Sequence, residues 1–116
     1  MKRDVDLIRA ILIEVEKQPV NQRWRAEPLL GYSREEVIYH VILASDQNLV
    51  DARVAPSSTD AMVLRLTNNG HEFLDAARID TVWAKAKDMV IKATGTLTLQ
   101  AITMALPKVI ERLMNS

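Results

Sequence analysis

The sequence predicts a mainly α-helical chain that carries a small antiparallel β-ribbon. Three observations lead there. Several segments repeat apolar residues at helical spacing, hydroxyl, carboxamide or carboxylate residues stand in front of them, and two strand-like runs lie between two of the helices. Those runs are Leu49 to Val54 and Met62 to Thr67, separated by the polar, turn-rich APSSTDA. At 116 residues the chain can bury one core and is too short for two ordinary domains.

The first helix is expected from about Asp4 to Lys17. Val5, Leu7, Ile8, Ile11, Leu12 and Val15 fall on one side of it, and Asp6, Arg9, Glu14, Glu16 and Lys17 on the other. Ile13 sits within the polar side and reads as a lone exposed Ile. Pro19 ends the helix. Val20, Gln22, Trp24 and Ala26 then alternate with Asn21, Arg23 and Arg25, which suggests a short strand. Trp24 is either an inward-packed strand residue or an exposed aromatic anchor for a partner.

Ser33 and Glu36 form a capping box for a helix running to about Asp46, with Val37, Ile38, Val41 and Ile42 as its buried side. Asn48 occupies the left-handed position that stops it. In the second strand-like run Met62, Leu64 and Leu66 alternate with Val63, Arg65 and Thr67. Thr67 or Asn68 can cap the next helix. Phe73, Leu74 and Ala77 share one side of it, but Val82, Trp83, Ala86, Met89, Val90 and Ala93 fall nearly opposite. One straight helix cannot bury both, so a break is expected near Ile79 to Thr81, with Asp80 or Thr81 as a second cap and Gly95 as the stop.

The last helix begins after Thr96 or Thr98. Leu99, Ile102, Leu106, Val109 and Leu113 keep a 3-4-3-4 spacing, with Ile110 beside them. This seam packs either on the domain's own core or on a second copy in a homodimer. Pro107 lies off it and should kink the helix or remove a backbone hydrogen bond. The division expected is residues 1–95 as one domain and residues 96–116 as a C-terminal amphipathic helix. The order helix, strand, loop, strand, helix in the middle matches the back half of a winged helix.

The stretches MKRDVDLIRAIL, GYSREEVIYHVIL and LTNNGHEFLDAARIDTVWAKAKD resemble the small bacterial and phage proteins of domain-of-unknown-function family 2513. The resemblance covers nearly the whole chain. It implies a winged-helix-like domain and a frequent phage or prophage origin, without an established activity or catalytic residues. YHVIL and NLV also resemble the reading helix and first wing strand of small bacterial repressors, and LTNNG the segment after their wing. Two features depart from the repressor pattern. Only a strand and a turn fit between Pro19 and Ser33, where a separate helix should stand, and Ile42 replaces a polar residue facing DNA.

Composition excludes several chemistries. No cysteine is present, which removes disulfides, thiolate metal sites and a Cys nucleophile. The acidic residues woven through the N-terminal apolar positions do not suit a signal peptide, and no apolar run suits a membrane span, so a cytoplasmic protein is expected. His40 and His71 lack companions at metal-ligand spacing, and Gly31, Gly70 and Gly95 fall at element edges outside any phosphate loop. No catalytic residue, metal or cofactor is therefore assigned. Phe73 and Trp83 belong to the core.

A non-enzymatic binding module is the expected function. As a DNA binder in the role of a phage or prophage regulator, it would read double-stranded DNA with Tyr39, His40, Leu43 and Gln47, and hold phosphates with Arg34, Arg53 and Arg65. The chain is neutral as a whole, however, and residues 31–60 carry two Lys and Arg against five Asp and Glu. The helix that should enter the groove is in the most acidic part, an objection because phosphate contacts dominate affinity. The alternative is a protein-interaction module on the same fold, binding a partner protein or assembling through Leu99, Ile102, Leu106, Val109 and Leu113.

Overall fold

The computed structural model describes residues 2–115. Among them five α-helices and three strands follow in order: α1 Val5–Glu16, β1 Trp24–Arg25, α2 Arg34–Asp46, β2 Val50–Val54, β3 Ala61–Leu66, α3 Asn68–Ala77, α4 Asp80–Thr94 and α5 Leu99–Met114. The expected mainly α chain with a small antiparallel ribbon is what forms, with a third strand added to the ribbon.

Helix α1 starts where Asp4 turns its carboxylate onto the Asp6 N–H at 2.8 Å, satisfying one donor of the first turn. Its predicted stripe is buried in full, and Leu7, Ile11 and Leu12 have no exposed surface. Each such side chain contributes about 2 kcal/mol of apolar burial. Ile13 is not the exposed residue expected; it is half-buried and packs on the same core. The polar side of α1 is held as well. Asp6 accepts from the Trp83 indole N–H at 2.7 Å and from the Lys87 ammonium at 2.9 Å. Burial alone would raise its pKa, but these two donors outweigh that and hold the carboxyl below its ordinary value. Arg78 grips Glu16 with two nitrogens at 2.8 and 2.6 Å.

Helix α2 has both halves of the capping box: the Glu36 N–H donates to Ser33 Oγ and the Ser33 N–H donates to Glu36 Oε1. It buries Val37, Ile38 and Val41 as expected, together with His40 and Ala44, while Ile42 is only half-buried. Asn48 takes φ 58° and turns the chain into β2.

The strands lie in the order β1-β3-β2, all antiparallel. β1 is shorter than the alternation implied, and Val20 is 89% exposed. Trp24 packs inward at 4% exposure, opposite Val63, so the exposed-anchor reading is corrected. The face expected for β3 also needs correction. Ala61 and Val63 point inward, then Leu66 does. Asp51 pairs with Arg65 but Ala52 pairs with Val63, so Leu64 is an extra residue in a bulge. A bulge shifts the two-residue period by one, which strict alternation in sequence does not show.

Thr67 caps α3 by accepting from the Gly70 N–H at 3.0 Å. Gly70 is required by a close approach rather than by backbone freedom: a Cβ there would lie 2.0 Å from the Leu49 carbonyl oxygen. The predicted break occurs, but the N-cap of α4 is Ile79, without a side-chain cap, rather than Asp80 or Thr81. Arg9 of α1 serves the junction instead. Its guanidinium donates to the carbonyls of Ala77 at 2.6 Å and Arg78 at 3.1 Å and pairs with Asp80 at 2.6 Å. Gly95 stops α4 at φ 78°.

Helix α5, capped by Thr98, lies against α3 and α4 of its own chain. Pro107 sits inside it on the exposed side and the helix continues through it. The cost is a missing donor for the Thr103 carbonyl rather than a break.

Two measurements check this account. Gly70→Ala should destabilise the chain by about 3 kcal/mol or more in urea denaturation, because the obstacle is backbone. For Asp6, a folded pKa below the unfolded value of about 3.9 means that its contribution is present above that pH and is lost as pH falls through the folded value. Asp6→Asn should therefore melt below the native chain at neutral pH, with the gap narrowing as pH falls toward about 2.

Candidate interaction surfaces

Three regions could meet a partner: the α2 surface, the outer face of the sheet, and the flanks of α5. On α2, His40 has no exposed surface. Its Nε2 accepts the Asp4 N–H at 2.9 Å, and its Nδ1 lies 2.7 Å from the Glu36 carbonyl. Both ring nitrogens thus serve the backbone. Tyr32 donates to Asp4 beside it, and this bond raises the phenol pKa above its ordinary value. Assignment of His40 to base reading is corrected on this geometry: an enclosed ring with both nitrogens engaged cannot reach a groove. Tyr39 is half-buried, with its ring edge-on to His40 at 5.7 Å. Leu43 packs on the core and shares a shallow pocket with Leu97 and Leu99, which leaves it little surface to offer. Gln47 is exposed at the end of α2.

Arg34 is engaged as well. Its Nε donates to the Ala26 carbonyl and one terminal nitrogen to the Thr59 carbonyl, each at 3.1 Å, while the other pairs with Asp60. It thus ties the start of α2 to β1 and to the β2–β3 loop. Asp60 also takes Arg25 at 3.0 Å, and this bond, against some burial, holds its carboxyl below the usual range. What α2 leaves exposed in charge is Glu35 and Asp46.

On the sheet, Arg65 pairs with Asp51 at 2.8 Å, whereas Arg53 has no carboxylate at ion-pair distance among the described residues and touches only the Ala52 carbonyl, at 3.4 Å. Sequence reasoning missed Arg25. It stands opposite Met62 on one side and Arg53 stands opposite Met62 on the other, so the two arginines flank one residue across three strands. The signal was present: once Trp24 is inside, its neighbours Arg23 and Arg25 must point outward.

The seam residues separate. Ile102, Leu106 and Val109 are buried against this chain's α3 and α4, Leu99 is half-buried, and Leu113 is 42% exposed. The three buried positions have no surface left for a second copy while α5 stays docked. Instead α5 leaves a groove on each flank. The α3 side encloses about 660 Å³ over Leu49, Phe73 and Leu106, with Ala76, Pro107 and Ile110 as walls. The α4 side encloses about 700 Å³ beside Met89, Ala93 and Val109. Their rims differ in charge. Glu72 and Glu111 line the first, with no Lys or Arg, while Lys85, Lys92, Arg112 and Asp88 line the second. Single positions such as Phe73 and Ile110 read as core in the sequence, because a groove exists only once two helices are set side by side.

Comparison with known proteins places these surfaces in a family. Residues 2–96 match the family described as "Hypothetical protein (DUF2513)". The chain belongs to this family. The matched stretch ends two residues before the Thr98 cap of α5. An uncharacterized protein of Haemophilus influenzae is similar to this family member: it is 35% identical over 118 residues, covering 98% of this chain and 99% of that protein. No solved structure gives a significant match. No helix among the described residues is long and apolar enough to cross a membrane, and no three His, Asp or Glu residues there gather as metal ligands.

The roles assigned to His40 and to the exposed residues separate in stability. His40→Ala should cost about 3 kcal/mol, since it opens a cavity and strands the Asp4 N–H. Gln47→Ala and Arg53→Ala should each stay within about 0.5 kcal/mol of the native chain in the same urea titration.

Proposed function

We propose that this protein is a non-enzymatic binding module, acting in the cytoplasm, in which a winged-helix-like core supports recognition of another protein. The element order α1-β1-α2-β2-β3 with sheet order β1-β3-β2 supports the winged-helix likeness. The segment between Glu16 and Arg34, where the first helix of a helix-turn-helix belongs, holds only β1 and turns.

The observation that carries the protein reading is the state of α2. His40 is enclosed, Arg34 is bound to the chain's own carbonyls and to Asp60, Leu43 is packed, and the exposed charges are acidic. A helix in that state has little with which to bind a polyanion. The grooves beside α5 are open and floored with apolar side chains, the form in which protein domains accept helices.

DNA contact is the second reading, favoured by the placement of Arg25 and Arg53 around Met62 on the outer sheet face. Fluorescence anisotropy with a labelled duplex at about 50 mM salt decides between them. The protein reading expects no binding tighter than about 10⁻⁴ M, the weak end of nonspecific association. Micromolar binding that weakens with salt and disappears in Arg53→Ala, Arg65→Ala would return the function to DNA.

A further inference from the structure

We infer that the groove between α3 and α5 is a docking site for an amphipathic helix whose apolar face is bordered by Lys or Arg. This inference rests on the protein-recognition reading and names the chemistry of the partner.

Shape comes first. The groove runs between two helices, its floor is Leu49, Phe73 and Leu106, and Met114 stands 80% exposed at its end. The part of α5 that lines it, Thr103 to Met114, gives about 18 Å of wall and room for about three turns of a partner helix. An apolar trough of that form takes the i, i+3, i+4 and i+7 side chains of an amphipathic helix.

Charge then selects among such helices. Every ionised side chain lining the groove is a carboxylate, Glu72 on α3 and Glu111 on α5. Glu72 touches only the Asn68 amide at 3.3 Å, and Glu111 has no cation at ion-pair distance among the described residues. The Thr103 carbonyl, deprived of its helical donor by Pro107, adds an acceptor, and both residues belong to the same wall. A partner with basic flanks would complement these groups, whereas acidic flanks would face like charge. The α4–α5 groove, with Lys85, Lys92 and Arg112 against Asp88, has the opposite preference and makes an internal control on the same helix.

Two synthetic three-turn peptides with one shared leucine face, one flanked by Lys and one by Glu, test the inference by isothermal titration against the full chain. The Lys-flanked peptide should bind at least about tenfold tighter than the Glu-flanked one. Ala76→Trp, which fills the trough, should abolish that binding. Glu72→Lys with Glu111→Lys, both on exposed positions where folding is not at risk, should erase or reverse the preference. Equal affinities, tighter binding of the Glu-flanked peptide, binding untouched by either variant, or no binding of either peptide would overturn the inference. Binding that survives Ala76→Trp but disappears in Lys85→Glu, Lys92→Glu would move docking to the other groove and leave protein recognition standing. Salt-sensitive duplex binding with neither peptide bound would remove both.

Discussion

Leu7, Ile11 and Leu12 of α1 have no exposed surface, and the arrangement that hides them sets the positions of the other elements. A 12-residue helix cannot bury its stripe alone, so α2, β3 and α3 close around it. Its polar side is then caught between its neighbours. Asp4 ties the helix start to His40 and Tyr32, Asp6 receives Trp83 and Lys87, and Arg9 takes the carbonyls at the end of α3. Apolar burial supplies most of the free energy, while these directional contacts fix the angles at which the helices meet.

The same contacts engage several of the α2 side chains that a groove reader would need free. A helix-turn-helix needs its second helix free on one side. In this chain α2 carries part of the internal wiring: His40 accepts from the Asp4 N–H at the start of α1, Arg34 holds the β2–β3 loop, and Leu43 lies near the approach to α5. The positive groups on the sheet are partly neutralised by Asp51 and Asp60. Open apolar grooves lie where α5 leans on α3 and α4 without filling the space on either flank.

Much of the fold was legible because its signals are local. The capping box at Ser33, the stop at Asn48 and the Thr67 cap each depend on residues within one turn, and helical periodicity marks a stripe wherever the helix goes and a break where two stripes face apart. The candidate site was legible only in part. Arg53 and Arg65 are exposed on β2 and β3, but a polar ring at position 40 reads as outward-facing unless a distant backbone N–H needs an acceptor, and Asp4 lies 36 residues away. The bulge at Leu64 and the requirement for Gly70 are likewise set by partners remote in sequence, Asp51 and Ala52 in one case and the Leu49 carbonyl in the other.

By itself, then, the sequence determined the class of fold, the family and the helix limits apart from the start of α4, since these follow from spacing and short-range chemistry. Tertiary packing decided which side chains remain available. It placed His40 inside, directed Ile102, Leu106 and Val109 to the chain's own core, and created two grooves of unlike charge along α5. Availability depends on which surfaces meet, and two helices far apart in sequence form a groove only after the core has set the distance between them.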